Sequence, residues 1–171
     1  MLFHRRKKQN LSFFVRNFIF GVEDSLVSTV GLLSGIAVAG VTQKEIFLTG
    51  VVLVFVEAFS MGVGSFLSEQ SVEEYEKHKE VPAHQSIVGA LIMFASYICA
   101  GFIPILPYLV FSQIHAFYVS IALSLLALFL LGSISAKFFK IHIIRHGLEM
   151  LTVGGIAILV GIAVGMFIQK I

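Results

Sequence analysis

The stretch IFLTGVVLVFVEAFSMGVGSFL, residues 46 to 67, decides the fold. Its side chains are apolar, small or hydroxyl-bearing, with the single exception of Glu57. A helix needs about 20 mostly apolar residues to cross the hydrocarbon core of a bilayer, and this segment has that length. An ionised carboxylate at mid-bilayer costs about 2.5–3.5 kcal/mol on insertion scales, so Glu57 is expected to face a partner or a polar cavity, not lipid.

Working outward, four more segments have the same character, at roughly 17–40, 86–110, 115–136 and 148–168. Hydrophobic residues make up 57% of the 171-residue chain, and its mean hydropathy is +0.95. The prediction is an all-α integral membrane protein of five transmembrane helices, forming one transmembrane domain over residues 1–171. The longest polar stretch, SEQSVEEYEKHKEVPAH (68–84), is an acidic linker too short to hold a core of its own. Pro104 and Pro107 in GFIPILPY predict a helix break near Ile103 followed by a turn. The basic start, MLFHRRKKQNLSFFVRN, resembles the charged end of a signal peptide. The apolar run behind it carries Glu23 and Asp24 and has no small-residue cleavage site, so it reads as a retained first helix.

Positive charge sets the expected orientation. With the N-terminus cytoplasmic, Arg5, Arg6, Lys7, Lys8, Arg16, Lys77, Lys79, Lys137, Lys140 and Arg145 all fall inside, and only Lys44 and Lys170 fall outside. The C-terminus is then outside or lumenal. The short chain, without a targeting extension, favours the plasma membrane of a prokaryote over a vacuolar membrane. The lone Cys99, in an apolar run, excludes an intrachain disulfide framework. No nucleophile–base pair or nucleotide motif appears, so an enzyme is not expected, nor a nucleic-acid partner or a cofactor.

Acidic residues occur deep in the membrane only as Glu23, Asp24 and Glu57. Counting ~1.5 Å per residue from each membrane entry puts Asp24 and Met61 at similar depth, with Glu57 about one turn deeper. At 100° per residue, Asp24, Ser28, Gly31 and Gly35 share one stripe of the first helix, and Glu57, Met61, Gly64 and Ser68 share one of the second. The two stripes read as walls of one pathway. Gly31-x-x-x-Gly35 also permits close helix approach, with a dimer axis as one place for it. Glu23 lies about 100° around from Asp24 and is the weaker ligand candidate.

Two carboxylates and a thioether, without a cysteine or histidine cluster, suit a divalent ion of mixed preference. Fe²⁺ and Mn²⁺ are the compromise, Fe²⁺ slightly ahead, and a homodimer would double the ligand set. Burial favours the neutral form of a carboxyl, so such a site holds protons when empty and metal when filled. That exchange is a physical route to metal/proton antiport.

Plainer readings stand beside these. Glu57 and Asp24 could be protonated carboxyls bonded to neighbouring helices, as in a non-transporting membrane subunit or assembly factor. Met61 alone is ordinary packing. Glu69, Glu73, Glu76 and Glu80 form either a cation-collecting cytoplasmic entrance or a solvated helix end with a Glu73–Lys77 pair. His142 and His146 in HIIRH share a helical face but lie in a basic loop, which argues against a metal site. His78, His84 and His115 read as surface residues. The glycines near the C-terminus, including Gly161 and Gly165, read as packing positions.

Three motifs in order carry a resemblance: GVEDSLVSTVGLLSGIAVAG (21–40), VEAFSMGVGSFLS (56–68) and PAHQSIVGALIMFASYICAGFIPILPY (82–108). Together they make the chain, over about residues 15 to 168, similar to the vacuolar iron transporter family. The resemblance implies five helices, a dimer with its ion pathway between the first helices, and export of Fe²⁺ or Mn²⁺ from the cytosol against protons. By position it implies Asp24, Glu57 and Met61 as intramembrane ligands. The chain departs from the family pattern at Glu23, often asparagine, and at Ser25, usually glycine. It also departs at Ser65, where many members have glutamate or glycine, and at Phe66, where they have tyrosine. The helical metal-collecting domain that iron-vacuole members insert between helices 2 and 3 is replaced here by the short linker, as in nodulin-like members.

Overall fold

The computed structural model describes the backbone of residues 2–170 and the side chains of residues 11–170. The side chains of Arg5, Arg6, Lys7 and Lys8, counted in the charge asymmetry, lie outside the described residues. The chain is all-helical: α1 (Leu2–Val38), α2 (Gln43–Lys77), α3 (His84–Ile105), a four-residue α4 (Pro107–Val110), α5 (Gln113–Phe139) and α6 (Ile143–Gln169). All but α4 contain a stretch long and apolar enough to span a membrane.

The second helix is longer than its apolar run. At ~1.5 Å per residue the 35 residues of α2 exceed the ~30 Å hydrocarbon core. The end bearing Glu69, Glu73 and Glu76 therefore continues as helix beyond it. The linker expected over 68–84 shrinks to the few residues after Lys77. There Gln70 holds the chain, its amide donating to the Val81 carbonyl at 2.9 Å and accepting from the Ser86 hydroxyl.

Helix α1 is the centre of the bundle. It packs most extensively on α3 and α6, and less so on α5 and α2, while α2 lies on α3 and α5 on α6. Leu26, Val30 and Leu33 of α1 are fully buried. Leu33 belongs to a cluster with Ile46, Val54, Ala58, Tyr97 and Ile105, and Leu26 to one with Ala100, Leu128 and Met150. The outward faces remain apolar: on α2, Leu48, Val52, Phe55, Val56, Phe59 and Val63 are all exposed. That is the surface a lipid solvent requires, with backbone polar groups satisfied within the helices.

Because lipid tails are as apolar as leucine, helices in a bilayer associate through close contact and hydrogen bonds. The α1–α6 crossing shows the first device. A methyl group on Gly161 would run into the Gly31 carbonyl, and one on Gly165 into that of Gly35. Gly31 and Gly35 are therefore occupied within the chain, against α6, and are not left to meet a second copy. The reason lies in the matching spacing of Gly161 and Gly165, read from the sequence only as packing positions.

At α3, Pro104 lies inside the helix, which runs on to Ile105 before Pro107 starts α4. Proline removes a backbone donor, and the buried Ser120 hydroxyl of α5 donates to the Pro104 carbonyl at 2.7 Å. On the same side, Gly40 turns the chain at φ +83, a left-handed conformation that glycine adopts without strain. The Gln43 amide donates to the carbonyls of Tyr108 and Phe111, and the Gln113 amide to that of Val41. These bonds tie the α1–α2 turn to the α4–α5 connection.

The glycine crossing makes a direct prediction. Gly161→Leu should lower stability by at least ~1–3 kcal/mol through overpacking, read as a lower thermal midpoint in detergent. Gly155→Ala, where a methyl meets no atom within 4 Å, should be neutral or slightly stabilising.

Candidate intramembrane ion site

Asp24 on α1 and Glu57 on α2 are both half-buried and both lie within membrane-spanning helices. A charge in a poorly solvated setting is costly, so each carboxyl calls for a proton, a cation or a hydrogen-bond donor. Met61, half-buried one turn after Glu57, packs against the cluster containing Tyr97 and Ala58.

Met61 also lines a cavity of about 600 Å³ between α1, α2 and α3, whose walls include Asn17, Phe20, Ser65 and Met93 and whose edge carries Arg16 and Glu69. Across this cavity Met61 shares its walls with Asn17 and Phe20 of α1, one turn before Asp24, the residue expected at its depth. The expectation counted depth from residue 17, but α1 begins near the N-terminus, so its entry point was not a valid ruler.

The expected stripe on α1 also divides. Ser28 and the Tyr97 hydroxyl of α3 share a hydrogen bond of 2.7 Å. Gly31 and Gly35 lie at the α6 crossing, beside an almost wholly apolar groove that also takes in Val27, Leu32 and Val160. Polar side chains on this line of α1 end at Ser28. Beyond it the groove offers only apolar groups and backbone.

Glu23, beside Asp24, is likewise half-buried. His146 contacts Glu149 at 3.2 Å and Arg145 contacts the same carboxylate at 3.0 Å, while His142 is exposed at the start of α6. The acidic stripe separates by position: Glu69 pairs with Arg16 at 3.2 Å across the cavity mouth, and Glu73 with Lys77 at 2.7 Å along its own helix. Glu76 and Glu80 are exposed. Only Glu69 of the four lines the cavity.

Ser65, where an acid was one expectation for the family, donates to the Asn17 carbonyl oxygen at 2.5 Å, and the buried Asn17 amide donates to the Phe13 carbonyl at 3.0 Å. The wall here is neutral and its polar groups are mutually satisfied. Arg16, also 5.5 Å above the Phe13 ring, leaves a cation at the mouth. Asn17, Met93 and Tyr97 were missed as site residues from sequence. Tyr97 had a readable signal, since a phenol in an apolar run needs a partner for its hydroxyl. Met93 had none, as methionine in a membrane helix is unremarkable.

Among the described residues no three His, Cys, Asp or Glu side chains converge as a metal cage. The intramembrane oxygen donors on α1 and α2 are the half-buried carboxyls of Glu23, Asp24 and Glu57, and the Met61 thioether lines the cavity.

Fold and site define a multi-pass membrane protein whose first two long helices carry half-buried acidic side chains within the membrane span. Its family follows from comparison with known proteins. The chain belongs to the VIT family, whose family profile matches residues 15–86 and 78–166. It is 22% identical to Vacuolar iron transporter 1 of Arabidopsis thaliana, over 90% of this chain and 86% of that protein. Vacuolar iron transporter 1 of Tulipa gesneriana is 21% identical over 98% and 92% of the two chains. Vacuolar iron transporter cccA of Arthroderma benhamiae is 29% identical over 48% of this chain and 33% of that protein.

Cavity access is measurable. In a Cys99→Ser background, Ser68→Cys should react readily with a water-soluble thiol reagent, because reaction requires a hydrated thiolate. Val52→Cys and Phe59→Cys, on the outward apolar face, should resist it. Equal labelling at all three positions would contradict a water-filled cavity.

Proposed function

We propose that this protein is a divalent transition-metal transporter that exports Fe²⁺ and/or Mn²⁺ from the cytosol in exchange for protons, serving metal homeostasis. The observation that carries the reading is the presence of two half-buried carboxyls, Asp24 and Glu57, on adjacent helices within the membrane span. Membership of the VIT family and the vacuolar iron transporters among its relatives support iron as a substrate. Carboxylate oxygens suit Mn²⁺ and Fe²⁺ alike, and the Met61 thioether tilts the set toward the softer Fe²⁺.

In this reading the 600 Å³ cavity is the cytoplasmic vestibule, with the N-terminus inside as the positive charges suggest. Metal passes Met61 and reaches Asp24 and Glu57, displacing the proton that neutralises them. Protons return as the metal leaves. Two carboxylates and a thioether leave a metal's shell incomplete, so a homodimer with a second ligand set is part of the proposal. Glu23 is a weaker contributor, and Glu69 is the entrance acid.

Reconstituted proteoliposomes test this. Wild-type protein should move Fe²⁺ or Mn²⁺ with counter-flow of protons, and Asp24→Asn or Glu57→Gln should cut flux at least about tenfold, as expected for loss of an essential polar group. Both variants should keep the elution volume of the folded wild-type assembly. Metal flux without a pH change would remove the antiport element. Absence of flux in the wild type, with assembly lost in the variants, would favour buried carboxyls that merely hold helices together.

A further inference from the structure

The hairpin that joins α5 to α6 carries a patch that neither the ion site nor the helix packing uses. Residues 137–145, KFFKIHIIR, make up the end of α5, the turn and the start of α6, and every side chain among them is exposed. Phe138, at 75%, and Ile144, at 69%, stand out furthest, with Phe139, Ile141 and Ile143 exposed beside them. Lys137, Lys140, His142 and Arg145 are interleaved with these apolar groups, and no acid occurs from 137 to 148. Of the four basic groups, only Arg145 meets an acid among the described residues, Glu149 at 3.0 Å. Lys140 ends α5 in the left-handed conformation at φ 58, where glycine is the usual residue. Ile141, His142, Ile144, Arg145, Leu148 and Glu149 line an open concavity of about 1160 Å³.

The depth of this hairpin bears on what covers it. α5 and α6 each have 27 residues, and each contains a membrane span. At ~1.5 Å per residue each reaches about 40 Å, the thickness of a bilayer with its headgroup layers. The turn between them therefore lies at headgroup level. Apolar side chains at that level enter the acyl boundary, while long cationic ones reach to phosphate. A soluble anion would leave Phe138 and Ile144 in water, and an apolar protein face would leave both lysines without counter-charge. A phospholipid of net negative charge answers both needs. We propose that the α5–α6 hairpin is a binding site for anionic phospholipid, its headgroup held by Lys137 and Lys140 and its acyl chains against Phe138, Ile141 and Ile144. Arg145, already paired with Glu149, contributes less.

The full-length protein in neutral detergent, titrated separately with phosphatidylglycerol and phosphatidylcholine, tests this by native mass spectrometry of bound lipid. Wild type should bind phosphatidylglycerol at least about tenfold more tightly, since both lysines act on its charge. One cation near an anionic lipid surface is worth about fivefold in affinity, so Lys137→Gln with Lys140→Gln should weaken phosphatidylglycerol binding about 25-fold. Lys77→Gln with Lys79→Gln removes the same formal charge from the end of α2 and should change that affinity less than about twofold, being screened from the hairpin. Equal loss in the two double variants overturns the inference, because general attraction to a basic surface would then suffice. A wild type without preference for phosphatidylglycerol overturns it too. So does a change of oligomeric mass with lipid binding unaltered, which would make the hairpin a contact between copies. Should the lysine variant fail to fold, Phe138→Ser with Ile144→Ser carries the test. Binding must then fall at least about tenfold through lost apolar contact, and an unchanged affinity overturns the inference. None of these measurements involves metal, so their outcome is independent of the transport reading.

Discussion

The arrangement depends on how α1 is held, because inside a bilayer the hydrophobic effect does not drive helices together. Two interactions hold it. On one side its glycines admit α6 to backbone contact, Gly31 and Gly35 against Gly161 and Gly165. On the other, Ser25 and Ser28 bond to the carbonyl and hydroxyl of Tyr97 on α3. Each device constrains both the depth and the rotation of α1. Between them, the adjacent acids Glu23 and Asp24 stay half-buried within the span.

This setting bears on what the site can do. A carboxyl pair without a neutralising cation is unstable in a poorly solvated setting and takes up a proton or a metal ion. The lining of the 600 Å³ cavity is mild: two thioethers, an amide and hydroxyls, with the one acid, Glu69, already paired to Arg16. Along α1 past Ser28, the groove beside α6 is apolar. In the proposed function, a cation drawn to the carboxyls finds its deepest side-chain ligands at Asp24 and Glu57, a situation that suits a central binding position better than a continuous polar pore.

Much of this was legible in residue order. Five apolar segments and the intramembrane acids follow from hydropathy and from the cost of charge in hydrocarbon. The three motifs around Asp24, Glu57 and Pro104 indicated the family. The vertical register between α1 and α2 was not legible. A helix shows its rise per residue but not its starting height, and α1 begins well before its apolar run. Nor could the stripe on α1 be assigned a single neighbour, because one face of a helix can touch two others.

The sequence by itself determined a five-span helical membrane protein with carboxylates in its first two long helices, since hydrocarbon demands apolar length and makes each buried charge conspicuous. Only the tertiary structure decided that Met61 shares a cavity with Asn17 and Phe20, that the α1 glycines serve α6, that Ser65 is spent on Asn17, and that Tyr97 bonds to Ser25 and Ser28. Those facts depend on helix rotation and relative height. Both are set by contacts between residues far apart in the chain, and no periodicity within one helix records them.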